Sequence, residues 1–229
     1  MKFWTWLELK TKIEADIDIE DETFVTPTEL LGYANEAVDE IERQILTLCE
    51  DYFITRTTLT LVAGTEEYSL PTNIYANKIR QIVYRNGTQV WKVQRIRDWN
   101  KFLSYELDRA YSTTTNKYSY FILNSTAGSP KILLSPNPTE AGAYLQVWYL
   151  RNANELTADA SICDIPEAAN YLMAYVRMKV FAKEMHPNLQ LAIAEVEAQK
   201  ADTLKTLSEM VPDNENTVEA DTRIYDEMN

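Results

Sequence analysis

The chain has 229 residues, 45% of them apolar, and a formal net charge of −13 from 22 basic and 35 acidic side chains. That is enough apolar material for a real core. It is too acidic for a nucleic-acid-gripping surface, which needs clustered Lys and Arg, and the same sign disfavours an anionic membrane face.

The opening residues, Met1 to Glu8, put an acid where a signal peptide needs its apolar stretch, and no apolar run approaches the ~20 residues of a membrane span. Synthesis in the cytoplasm, with no membrane partner, is expected. Phe3, Trp6, Leu9 and Ile13 then form a helical stripe, followed by an acidic connection at Asp16–Glu22. Thr26-Pro27-Thr28-Glu29 predicts a helix start, with Thr26 as cap, Pro27 in the first turn and Glu29 completing a capping box. Ala34, Val38, Ile41, Ile45 and Leu48 make its buried stripe, and Glu36, Asp39, Glu40, Glu42 and Arg43 its solvated side.

Strand chemistry follows. Thr57–Leu61, Tyr68–Leu70, Ile79–Tyr84, Val90–Val93, Tyr118–Leu123, Lys131–Leu134 and Tyr144–Tyr149 are expected strands, with a hairpin turn at Asn86-Gly87. Ile96, Trp99, Leu103 and Leu107 predict a short helix among them. Pro136 and Pro138 exclude a central strand between the last two. Asp164-Ile165-Pro166-Glu167 opens a second helical block, capped at or near Asp164, with Leu172, Met173, Val176 and Val180 inward. Pro187 breaks it. A last helix carries Leu189, Ile193, Val196, Leu204 and Leu207 to about Met210.

The reading is therefore α+β. A helical module is built from both chain ends (residues 1–54 and 158–211), since neither block alone can bury its stripe. Between them lies an inserted antiparallel β module (55–157), with its short helix near 96–110. An extended C-terminal arm (212–229) follows.

Catalytic constellations are missing from this pattern. His186 is the sole histidine and precedes Pro187 at an interhelical break, so Ser-His-Asp and Cys-His chemistry would both rest on one residue at a helix end. Cys49 and Cys163 lack metal-ligand spacing and read as buried free thiols. The five glycines stand singly, which removes phosphate-cradling loops. Asp16-x-Asp18 lacks the glycine of a calcium loop. Aromatic residues make up 11% of the chain, and Tyr105, Tyr111, Tyr118, Tyr120, Tyr144, Trp148 and Tyr149 concentrate in the β module. Without a basic groove beside them, they read as strand and interface residues before a base-stacking platform. No catalytic, cofactor or metal site is expected, and the protein is not expected to be an enzyme. The arm carries Asp213, Glu215, Glu219, Asp221, Asp226 and Glu227 against Arg223. It cannot supply its own ordering cost of ~1–2 kcal/mol per residue, so a partner must, with Arg223, Ile224, Tyr225 and Met228 as anchors.

Four stretches, in this order and spacing, resemble the head-to-tail adaptors of tailed bacteriophages, also called connector or head-completion proteins. They are Thr28–Ala37; Thr58–Leu61 leading to Glu67–Pro71; Leu133–Pro138 followed by Leu145–Tyr149; and Asn154–Thr157 followed by Asp164–Glu167. The resemblance runs from about Trp6 to Met210. It implies a structural virion protein at the head–tail junction, made in the host cytoplasm. It implies a homo-oligomeric ring of about twelve copies under the portal protein. Such a ring extends the DNA channel, passes DNA without sequence-specific binding and offers a platform to nozzle or tail-tube proteins. It also implies a terminal arm reaching the portal, for which residues 212–229 are the counterpart. An acidic channel lets DNA slide without gripping it. The alternatives are another tail ring, a terminator or stopper, and a single-stranded nucleic-acid-binding module built on the aromatic residues.

Overall fold

A computed structural model describes residues 2–17, 24–110, 118–123, 129–139 and 142–210. Two compact units are present: one from both chain ends, up to Tyr52 and from Ala153, and one from Phe53–Asn152.

The end unit holds α1 (Trp6–Ile17), α2 (Pro27–Leu48), a 3-10 turn (Pro166–Ala168), α4 (Ala169–Glu184) and α5 (Leu189–Met210). Its helix starts are written in the sequence. Thr26 Oγ1 accepts from the Glu29 N–H and the Glu29 carboxylate accepts from the Thr26 N–H at 2.9 Å, a complete capping box. The same Thr-x-x-Glu device opens α1, where the Glu8 carboxylate accepts from the Thr5 N–H at 3.1 Å and Thr5 Oγ1 from the Glu8 N–H. Asp164 is not the N-cap residue of the 3-10 turn or of α4; those positions are Ile165 and Ala168. The 3-10 turn and α4 begin without a side-chain cap, and the Asp164 carboxylate accepts instead from the Asn154 N–H at 2.7 Å.

Helix α4 is the middle of this unit, packed on α1, α2 and α5. That position explains why Tyr171, Leu172, Ala174, Val176 and Val180 are buried around much of its circumference instead of on one stripe. Against it α1 brings Trp6, Leu9 and Ile13, and α2 brings Leu30, Ala34, Val38, Ile41 and Ile45. Some expected core residues are less buried: Leu48, in the last turn of α2, and Ile193 are exposed, and Met173, Leu189 and Leu204 are half-buried. Helix α5 buries Ala192, Val196, Thr203 and Leu207, a face rotated away from Ile193.

The acidic side of α2 is paired rather than simply solvated. Glu29 meets Lys183 at 2.8 Å, Glu36 meets Lys179 at 2.8 Å and Glu40 meets Lys200 at 2.7 Å, while Arg177 of α4 pairs with Glu195 of α5. Lys183 also donates to the Phe24 carbonyl at 2.6 Å. The Lys183 hydrogen bond, then the Thr26 N–H, hold the Glu29 carboxyl down at about 2 from its ordinary 4.5. A carboxylate depressed in this way stabilises the fold above its ordinary value and loses that contribution as pH falls through the depressed one. Glu29→Gln is therefore expected to melt below the wild type by a constant margin above about pH 5. The margin should close between pH 4.5 and about 2. Thermal melts of the two proteins across that range check it, and a margin independent of pH would place the stabilisation elsewhere.

The second unit is a seven-stranded sheet in the order β1-β7-β3-β4-β5-β6-β2. Its strands are β1 (Ile54–Thr60), β2 (Glu67–Ser69), β3 (Ile74–Asn86), β4 (Gln89–Arg95), β5 (Ser119–Leu123), β6 (Lys131–Ser135) and β7 (Tyr144–Arg151); α3 (Trp99–Ala110) lies between β4 and β5. The sheet is mixed, not wholly antiparallel: β4 and β5 pair in parallel at Gln94–Ser119 and Arg95–Tyr120. Two parallel neighbours need a crossover, and α3 provides it. Ile82, Tyr84, Val93, Tyr120, Ile132, Leu134, Leu145 and Val147, from five strands, form one buried cluster on one face of the sheet. Phe102 of α3, Ile96 and Leu133 form a smaller one, joined by Phe121.

The β3–β4 hairpin is present, with its turn one residue later than expected. Asn86 and Gln89 pair, leaving Gly87-Thr88 as the two-residue loop. Gly87 has φ +55, and Asn86 is not left-handed. Positive φ at the first central residue alone is the II′ pattern, which takes Gly there. Ala76 and Asn77, with φ 46 and 56, fall within a register shift between β3 and β7.

Candidate assembly surfaces

Side chains from the first and fourth resembling stretches meet inside the end unit. Asn35 of α2 donates to the Leu156 carbonyl at 2.9 Å and accepts from the Leu156 N–H at 2.8 Å. Two turns further along α2, Glu42 accepts from the Ala153 N–H at 2.9 Å. Asn154 is held by Asp164, and Tyr52 donates to Glu167 at 2.9 Å. The returning chain is thus fastened to α2 at both ends of the stretch, at Ala153 and at Leu156. Glu42 was expected on the solvated side and is instead 7% exposed. It stands four residues after Val38 and three before Ile45, so its angular position on the helix is the buried one. That spacing was the available signal.

Among the described residues nothing assembles into a catalytic centre. No group of three or more His, Cys, Asp or Glu is placed to hold a metal, and no helix is long and apolar enough to cross a membrane. His186 stacks on Phe181 at 4.4 Å and its Nδ1 accepts from the Asn188 N–H, closing the turn between α4 and α5. Cys163 is buried, its thiol donating to the Ile165 carbonyl, and burial pushes it up to about 11, far from a reactive thiolate. Cys49, expected to be buried, is half-buried at the end of α2.

The aromatic residues separate into two groups. Tyr84, Tyr118, Tyr120 and Tyr149 are 8% exposed or less. Tyr84 and Trp91, a directly opposed cross-strand pair, stack at 4.1 Å. These rings fill the core and offer no platform to a base. Trp148 is 37% exposed on the outward face of β7, with the Arg56 guanidinium 5.4 Å above its ring; Trp99 of α3 is exposed too, and Tyr144 is half-buried. Tyr111 lies outside the described residues, and so do the arm residues Arg223, Ile224, Tyr225 and Met228.

Two surfaces are rich in exposed apolar groups. On the end unit, Thr5 pairs with Ile162, and the Trp6 N–H donates to the Ser161 carbonyl. This docks the chain's start against residues 159–163 and leaves Phe3, Leu7 and Ile162 at least half exposed beside an open cleft that Phe3, Asn154, Ser161 and Ile162 line. On the β unit, the outward face of β1, β7, β3 and β4 presents Trp148 and Val90. Neither surface was foreseen. Phe3 was assigned to a helix stripe, and the sheet's outward face needs strand register to be read.

Surfaces dressed with exposed apolar side chains suit assembly. No individually curated protein matches the chain. The family described as SU10 adaptor protein matches residues 4–223, nearly the whole chain and well into the acidic C-terminal segment. The chain belongs to the SU10 adaptor protein family and is a structural head-to-tail adaptor of a tailed phage, as the four stretches imply.

Proposed function

We propose that this protein forms a closed ring of about twelve copies beneath the portal. In that place it extends the DNA channel and gives nozzle or tail-tube proteins a platform. The observation that carries the reading is the family match over residues 4–223, which takes in the helices, the sheet and the returning chain together. Burial of Tyr84, Tyr118, Tyr120 and Tyr149 in the sheet's core weighs against the single-stranded nucleic-acid reading. A virion location after synthesis in the host cytoplasm follows from that role, and catalysis has no part in it.

Residues 212–229 serve as the arm to the portal, with Ile224, Tyr225 and Met228 as apolar anchors and Arg223 bonding to a partner carboxylate. Deleting 212–229 is expected to leave the melting temperature of the body nearly unchanged and to abolish attachment to portal rings in a pull-down. A truncated protein that attaches with unchanged affinity would refute the arm.

A further inference from the structure

The net charge of −13 conceals a sharp division. The β unit, Phe53–Asn152, holds 12 Lys and Arg against 6 Asp and Glu, a formal +6; the rest of the chain holds 10 against 29, a formal −19. Strands β1, β3, β4 and β7 contain no carboxylate at all.

Register places part of this positive charge on one face. Arg56 lies opposite Trp148, Lys92 opposite Val83, and Arg85 between Tyr144 and Val90. Each of three cross-strand rows thus carries one cation among aromatic, aliphatic and amide neighbours. Arg56 and Lys92 are exposed and Arg85 is half-buried. Arg85 donates to Gln146 at 2.7 Å, and no ion pair among the described residues involves Arg56, Arg85 or Lys92.

We propose that this outward sheet face docks on the acidic end unit of a second copy of the same chain. The inference rests on the ring reading and names the contact that builds it. Complementarity selects the occupant. Two such faces repel each other, so a symmetric face-to-face pair is disfavoured, whereas the end unit without its arm, 9 Lys and Arg against 23 Asp and Glu or a formal −14, is available on every neighbour. A contact between different patches of identical chains is head-to-tail, the kind of contact that builds a ring when the rotation between neighbours closes. The composition agrees: Trp, Tyr and Arg with few Lys mark protein interfaces, whereas a DNA-gripping face needs dense Lys and Arg.

The test uses the full chain and R56E/R85E/K92E, with R56Q/R85Q/K92Q as the milder variant. Thermal melts establish that both fold. Sedimentation follows self-association at ~50 and ~200 mM salt, and anisotropy follows binding of a DNA duplex of about 30 base pairs at ~50 mM. The wild type should form rings that weaken with salt. The Glu variant should associate roughly tenfold or more weakly, and the Gln variant should fall between. Wild-type rings matched by the Glu variant, with the same salt response, would overturn the inference and leave the ring reading intact. Loss of duplex binding with self-association untouched would assign the face to DNA and overturn it too. A wild type that stays monomeric throughout would contradict the ring reading itself.

Discussion

Replacing Ile41 or Val176 with Asp should unfold the end unit. Both side chains are fully buried, on helices from opposite ends of the chain that pack together. An Asp at either place is a buried charge with no partner, costing roughly 4–5 kcal/mol, or must stay protonated at a similar penalty. Against a total stability of about 5–15 kcal/mol, that removes most of the margin. Gln44→Asp, on the exposed side of the same helix, should change stability by no more than about 0.5 kcal/mol. Urea titrations followed by circular dichroism separate the cases. Near-wild-type midpoints for both buried variants would mean that the two chain ends do not share a core.

The second large effect is expected from Asn35→Ala. The side chain satisfies both backbone groups of Leu156, a residue only 1% exposed. Removing it leaves a buried N–H and a buried carbonyl unpaired, each costing about 1–3 kcal/mol unless water reaches them. A loss of roughly 2–4 kcal/mol is expected, with an unchanged denaturant slope because the surface exposed on unfolding is the same. Asn35→Asp is a sharper control: it still accepts from the Leu156 N–H but sets a carboxylate against the carbonyl, so it should not restore stability. Wild-type midpoints for both variants would show that the returning chain is held by other contacts.

Local devices were the legible part of this fold. Thr26-Pro27-Thr28-Glu29 announced α2, alternation announced the strands, and Pro187 announced the break before α5. What escaped depends on geometry that a linear reading does not carry. Glu42 was judged by its charge, although its angle on α2 is that of the core. Helix α4 is buried on several sides, so its pattern indicates burial without indicating direction. The order strand, helix, strand at β4, α3 and β5 was visible and is compatible with a parallel pair, which needs a crossover, but the pairing itself is set by register that a linear reading does not carry. The turn at Gly87-Thr88 follows from the pairing of Asn86 with Gln89, which no dipeptide rule contains. The assembly surfaces were least legible. Phe3, Leu7 and Ile162 come together only through the pairing of Thr5 with Ile162, and the cations of the sheet face are diluted by the acids of the helices when the chain is summed as a whole.

We propose that this chain forms the ring between portal and tail. Imaging of the head–tail junction in particles that carry it tests that most directly. The account predicts a closed ring of about twelve copies directly beneath the portal, DNA passing through its lumen and residues 212–229 of each copy lying on the portal. Finding the chain elsewhere in the tail, or as isolated copies that enclose no channel, would contradict it.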